Sequence, residues 1–378
     1  MIDVEHFFDA LTAEGIVNFS GVPDSLLKSI CAYIFDNTAP SQHLITANEG
    51  SAIALAVGQY LATGTPSLVY MQNSGFGNAI NPLLSLADKK VYGVPMLVMV
   101  GWRGEPGGAD EPQHVKQGEV MEDLLSVCGL PVILIDAETV DIDFVLKSAI
   151  KQAVDHSQPV VLLIRKDTFS SYELKNIQQN ISNESREDAI EKVVEASDAS
   201  DIFVATTGMA SRELFEIRIR KNQSHDRDFL TVGSMGHANM IALGIAKNTN
   251  RHVFCIDGDG ATLMHLGNLS STGLSGSHNL IHIVLNNAAH DSVGGQPTCA
   301  SKVDLPLIAI ACGYESARTT SNINEIQRYI EIFKQQPGPH FLEVKVKIGS
   351  RSDLGRPTSS PVRNKEMLMK MFRLPHGV

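Results

Sequence analysis

His252-Val253-Phe254-Cys255-Ile256-Asp257-Gly258-Asp259-Gly260 and, after residues 261–279, Leu280-Ile281-His282-Ile283-Val284-Leu285-Asn286-Asn287 decide how this chain folds. Each is an apolar run of strand length that ends in polar turn formers. The segment between them is compatible with a helix, so the whole reads as one parallel βαβ unit. It sets a carboxylate at the carboxyl end of the first strand and an amide at that of the second, the edge where open parallel sheets bind ligands. The oxygens of Asp259 and Asn287 suit a hard cation such as Mg2+, which takes few protein ligands and shares the rest with phosphate and water. Gly258 and Gly260 let the backbone approach a diphosphate, and a helix expected to open at Ala261 offers N–H groups to it. Taken singly, Asp-Gly and Asn-Asn are ordinary turn formers. Paired at two strand ends, they point to a metal–diphosphate site. Nucleotide loops fit less well: there is no G-x-x-x-x-G-K-[ST], and Leu263 breaks G-x-G-x-x-G.

Working outward, the pattern repeats. Strands are expected near 16–20, 43–47, 66–72, 95–101, 132–136 and 159–165, then near 201–206, 228–232, 252–256, 279–285 and 340–346, with helical patterns between most of them. Residues 170–188 are polar, rich in Asn, Ser and Gln, and lack a sustained apolar face, which marks a linker. Both halves therefore read as doubly wound α/β domains, 1–170 and 189–378, joined by 171–188.

Composition narrows the class. The chain has 378 residues, enough for about two domains. A formal net charge of −11 argues against nucleic acid or an anionic membrane as partner, so cationic contacts to an anionic ligand must be local. Cys31, Cys128, Cys255, Cys299 and Cys312 are scattered, odd in number and without a C-x-x-C pattern, as expected for reduced thiols in the cytoplasm. The start, Met1 to His6, has neither the basic region nor the apolar core of a signal peptide. No apolar run approaches a membrane span.

The Gly258-Asp259-Gly260 and Asn286-Asn287 pair resembles the signature of the thiamine diphosphate-dependent enzymes. The resemblance implies a pyrimidine-binding first domain, a diphosphate-binding second domain, and Mg2+ held by Asp259, Asn287 and the carbonyl of Ala289. It also implies an activating glutamate after the second strand of the first domain and before an Ala/Gly-rich helix. Glu49, in Ala47-Asn48-Glu49-Gly50, matches that place. By itself a Glu in a first helical turn needs only the macrodipole to explain it. In the family the carboxyl group shifts the pyrimidine to the form that acts as internal base, which requires a mostly apolar setting. Glu49 would reach cofactor held by another subunit, so a homodimer or higher homo-oligomer is expected. Gly75 is implied as a further cofactor contact. Gly233 and Met235 match the loop beneath the bent cofactor, although a core methionine after a turn looks the same. Thr207-Gly208-Met209 resembles a diphosphate-contacting loop, and its hydroxyl equally suits a helix cap.

Within that family the chain resembles the small group of two-domain decarboxylases that act on acidic 2-oxo acids. The marks run nearly the full length: Ser20 to Ser25, Ala47 to Gly50, Gln72 to Gly75, Gly101 to Gly104, Asp110 to His114, His290 to Gln296 and Gly355 to Pro357. One departure is Ala288, where glycine is expected. The implied reaction is decarboxylation of 3-phosphonopyruvate to phosphonoacetaldehyde and CO2, in phosphonate biosynthesis, with 3-sulfopyruvate as the alternative substrate and a non-catalytic cofactor-binding paralogue as the alternative role. Arg103, Lys116, Arg351 and Arg356 are the candidate contacts to the anionic tail, against surface solvation as the ordinary reading. Asp24, Ser25 and His114 are candidates for proton handling or for holding the substrate carboxylate, against a helix cap and a loop histidine.

Overall fold

Residues 1–373 are described here from a computed structural model. The first sheet holds β1 (Phe19–Gly21), β2 (His43–Ile45), β3 (Leu68–Gln72), β4 (Met96–Gly101), β5 (Val132–Ile135) and β6 (Pro159–Ile164), in the order β2-β1-β3-β4-β6-β5. The second holds β7 (Ile202–Ala205), β8 (Asp228–Leu230), β9 (Val253–Gly258), β10 (Leu280–Asn286), β11 (Ser316–Thr320) and β12 (His340–Lys345), in the order β11-β12-β10-β9-β7-β8. Every paired strand is parallel. Counted within each half, both sheets follow the same order, second-first-third-fourth-sixth-fifth. The chain reverses its winding between the first and third strands of each sheet, and loops at the carboxyl ends of those strands frame the binding crevice of such a fold.

The apolar runs explain the layering. β4 and β6 are buried along their whole length, as strands covered by helices on both faces must be. In the first sheet Tyr70 and Leu97 pack with Phe7, Leu11 and Ile30 on one face, while Val69 and Val98 pack with Ile53 and Ala56 on the other. In the second, Phe203, Phe254 and Leu342 pack with Ile190 and Ile330, and Ile202 and Val253 pack with Ala242 and Leu368.

The chain divides into two compact units: Met1–Ile177 with His290–Gln296, and Gln178–Ala289 with the chain from Pro297 onward. The polar stretch 171–188 is shared between them. The Tyr172 hydroxyl and the N–H groups of Lys175 and Asn176 donate to Asp36 in the first unit. Ser185 caps the helix Arg186–Ala196 in the second.

Three details differ from the sequence reading. β1 begins at Phe19, because Ile16 still closes the preceding helix by donating its N–H to Leu11. β11 was not anticipated; it is an edge strand of Ser-Ala-Arg-Thr-Thr with no apolar run. The segment after Gly258 forms two six-residue helices, Asp259–Met264 and Asn268–Gly273, and the first opens at Asp259 rather than Ala261. Among the described residues no helix is long and apolar enough to cross a membrane.

Candidate active site

In the second unit, β9 and β10 deliver Asp259 and Asn287 to the sheet edge, 3% and 5% exposed. Burial pushes the Asp259 carboxyl up to about 6, although the Thr298 hydroxyl and nearby N–H groups partly offset it. A desolvated carboxyl that titrates this high is short of positive charge, and a hard cation would supply it. Asn287 Oδ1 accepts from Ala289 N at 3.0 Å, a turn that fixes the Ala289 peptide. The donor set therefore fits Mg2+: one carboxylate, one amide and one backbone carbonyl.

Asn286 has a different job from its neighbour. Its Oδ1 accepts from Ala288 N at 2.9 Å, and its amide donates to Glu343 at 2.7 Å. Thr319 and Lys345 also donate to Glu343. Ala288, fully buried at φ 58°, stands where glycine was expected. Left-handed backbone costs an L residue about 1–2 kcal/mol. Bonds at Ala288 N and O, the latter from Thr298 N at 2.8 Å, hold it there.

The other loops expected to meet the cofactor lie at the same edge. Thr207 follows β7 and donates to the Val232 carbonyl at 2.8 Å, so its hydroxyl ties two loops together. Gly208 precedes the helix that opens at Met209. Gly233 and half-buried Met235 flank Ser234 after β8; Gly236 follows at φ 84°, where a Cβ would lie 2.6 Å from the His265 ring. Ala261 is buried two residues into the helix from Asp259, and the Thr262 hydroxyl beside it has no partner.

In the first unit Glu49 opens the helix Glu49–Thr63 behind its Asn48 cap, 4% exposed. Burial raises its pKa, and the bond from Asn78 Nδ2 to Oε2, 2.8 Å, only partly opposes this. Oε1 packs so tightly on Gly75 that a Cβ there would lie 2.0 Å away. Only glycine fits.

Beyond β1, β3 and β4 a polar network gathers several expected residues. Asp24 is fully buried and accepts from Gln72 Nε2 at 2.5 Å; burial raises its pKa against the lowering effect of Gln72 and Arg103. Arg103 makes a two-pronged pair with Asp110 and donates from Nη1 to Ser25 Oγ at 2.7 Å. Burial alone would raise the Asp110 carboxyl, but Arg103 and the N–H groups of Glu111 and Gly104 overcome this and hold it far below the usual range. His114 is buried with Nδ1 unpartnered, and burial lowers its pKa.

The remaining cations have other partners or follow other segments. Lys116 is exposed and pairs with Glu119 on the same helix. Arg351, in the second unit, is bound by Glu187, Glu216 and Asp353. Arg356 is exposed and follows Gly355, whose N–H goes to Glu216 and whose carbonyl takes Arg212.

Sequence reasoning passed over Asn78, Gln72, Asp110, Thr298 and Gln296. Gln296 is 1% exposed with neither amide atom partnered, which marks it for a ligand or water. Gln72, Asp110 and Gln296 lay inside motifs already singled out. Asn78 and Thr298 had no local signal.

Residues 4–127 match the family described as thiamine pyrophosphate enzyme, N-terminal TPP binding domain, and residues 206–344 the corresponding C-terminal TPP binding domain. The chain is 32% identical to a phosphonopyruvate decarboxylase of Streptomyces viridochromogenes, over 96% of this chain and 92% of that one. It is likewise 32% identical to one from Streptomyces hygroscopicus over the same shares. Identity to a sulfopyruvate decarboxylase of Methanosarcina acetivorans is 28%, over 88% and 87%.

Proposed function

Because the chain belongs to the thiamine pyrophosphate-dependent decarboxylases, we propose that it converts 3-phosphonopyruvate to phosphonoacetaldehyde and CO2 with Mg2+ and thiamine diphosphate, in the cytoplasm and for phosphonate biosynthesis. It works as a homodimer or larger homo-oligomer, with Glu49 of one subunit serving cofactor bound by another. The observation that carries the substrate class is Arg103, a guanidinium aimed by Asp110 and joined to Ser25 in the unit that also holds Glu49.

Bound thiamine diphosphate supplies an electron sink for the carbon that loses CO2. Asp259, Asn287 and the Ala289 carbonyl would hold the cation, which would supply positive charge to the diphosphate. Glu49 keeps a proton at Oε1, in a site dry enough that the proton is shared rather than lost to water. Arg103 meets the phosphonate tail with charge-assisted N–H bonds. Asp24, Ser25 and His114 hold or move the proton that replaces CO2 on the product. Arg351 and Lys116 bear on the tail only if they leave the carboxylates they hold. A non-catalytic role is disfavoured because Glu49, Asp259 and Asn287 are all intact.

The test is kcat/KM for 3-phosphonopyruvate, 3-sulfopyruvate and pyruvate. We expect that order, with pyruvate far behind. Arg103→Ala should lose about tenfold to a hundredfold on the phosphonate and much less on pyruvate. An unchanged ratio of the two removes Arg103 from tail recognition, and sulfopyruvate ranking first overturns the substrate.

Asp259 also sets a pH dependence. Without a cation its carboxyl holds its proton below about 6, so a binding cation must expel that proton. Mg2+ affinity, measured by titration calorimetry, should be level above pH 7 and weaken about tenfold for each pH unit below 6. A flat profile from pH 5 to 8 would show that burial does not raise the Asp259 carboxyl in the cation-free protein.

A further inference from the structure

His282 lies in the middle of β10, fully buried, beside Cys255 of β9. Its Nε2 is 3.5 Å from Asp257 Oδ2 and its Nδ1 is 3.1 Å from the Tyr314 hydroxyl. Asp257 Oδ1 accepts the Gly258 N–H at 2.9 Å. On the far side, the Tyr314 oxygen meets Asn239 Nδ2 at 3.5 Å, and Asn239 Oδ1 accepts from Thr272 at 2.7 Å. One arrangement of protons satisfies the chain as far as His282: Thr272 donates to Asn239, Asn239 to Tyr314, and Tyr314 to Nδ1 of His282. The ring hydrogen then sits on Nε2, which makes no hydrogen bond but faces the Asp257 carboxylate at 3.5 Å, while Asp257 takes Gly258 N–H. That assigns the tautomer from the network.

These groups stand where an apolar strand interior would pack more cheaply, since buried polar groups contribute little net stability even when fully paired. What the network has is two useful ends. One is the peptide of Gly258, next to Asp259. The other is the helix Ala238–Ala246, which opens two residues after Gly236 and so anchors the loop that carries Met235. We propose that His282 and Tyr314 are positioning residues: they hold the Asp257 carboxylate, and through it they fix the Gly258-Asp259 turn and tie it to the 233–237 loop. The inference rests on the assignment of Asp259 and Met235 to the cofactor. This role requires no contact of His282 or Tyr314 with the cofactor itself.

The competing reading is a buried metal centre, because the ligand atoms of Cys255, Asp257 and His282 lie within 4.8 Å of one another. The network argues against it: Asp257 already bonds Gly258, and the neutral tautomer that satisfies Tyr314 carries its hydrogen on the very nitrogen that would face an ion.

The test is calorimetric titration of Mg2+ and thiamine diphosphate into cofactor-free protein, with kcat at saturating cofactor and the melting temperature of the cofactor-free protein recorded alongside. Wild-type binding tests the cofactor assignment independently. His282→Leu should raise the cofactor Kd at least tenfold, with a smaller change in kcat. His282→Gln, which retains an N–H at the same reach, should recover most of the affinity, and Tyr314→Phe should weaken binding severalfold. Lowered melting temperatures with wild-type Kd in both Tyr314→Phe and His282→Leu would reduce the network to packing and overturn the proposal. So would one equivalent of transition metal retained by the wild type after dialysis against chelator. If His282→Leu does not fold, the Kd values of Tyr314→Phe and His282→Gln decide the matter.

Discussion

Glu49→Gln should bind thiamine diphosphate nearly as well as the wild type and lose about a hundredfold to ten-thousandfold in kcat. The substitution is nearly isosteric. Its amide oxygen can still accept from Asn78, and the side chain can still lie against Gly75, so the local packing survives. What disappears is a carboxyl that burial keeps close to sharing its proton. The direct readout is the rate at which the cofactor's reactive carbon exchanges hydrogen for deuterium, followed by NMR after acid quench. Exchange at the wild-type rate in Glu49→Gln would reduce Glu49 to a residue of a first helical turn. Gly75→Ala approaches the same end from the other side: the added methyl group displaces Oε1, so activity should fall while Glu49 remains.

The parts of this site that the sequence showed are the ones held by short-range grammar. A parallel strand buried on both faces writes itself as an apolar run, and the turn after it writes itself in Gly, Asp and Asn. Asp259 and Asn287 occupy such ends, so their type and position were legible together. Glu49 follows β2, a short half-exposed edge strand, and was legible through the resemblance of residues 47–50 to the family's motif. β11 was not, because an edge strand with only Ala317 and Thr320 buried has no such run. The partners of the site were harder still. Thr298 reaches Asp259 from 39 residues away, and Asn78 reaches Glu49 from 29. Only the fold brings them together.

The arginines teach the same lesson in charge. Arg103 and Arg351 were both candidate contacts to the anionic tail, yet their surroundings differ. Arg103 bonds one carboxylate, Asp110, and a hydroxyl, with Asp24 and Glu111 acting on it through their charge. Arg351 has three carboxylates, two of them on helices more than a hundred residues earlier. A guanidinium so surrounded is compensated before any anionic substrate arrives. Nothing in the local sequence of Arg351 reports Glu187 or Glu216.

Asp259→Asn should separate binding from stability in opposite directions. The amide keeps the shape and an oxygen for Thr298, but it cannot neutralise a dication. Removing one charge from a buried, paired site costs about 2–5 kcal/mol, so Mg2+ and cofactor affinity should fall by roughly thirtyfold to several thousandfold. The cofactor-free protein should respond the other way. Burial raises the folded-state pKa of Asp259 from 3.8 to about 6, so its contribution is fully present below the unfolded value and lost as pH rises through about 6. Between those values the loss is worth roughly 3 kcal/mol, an upper figure for the wild type at pH 8. Asp259→Asn never carries that charge. Cofactor-free Asp259→Asn should therefore melt at or above the wild type at pH 8, and the two should converge near pH 4. Saturating Mg2+ and thiamine diphosphate should reverse the order at pH 8, because only the wild type gains from binding. A variant that binds cofactor with full affinity would remove Asp259 from the metal. One that binds weakly but also melts far below the wild type without cofactor would show that the carboxylate holds the fold rather than the ion.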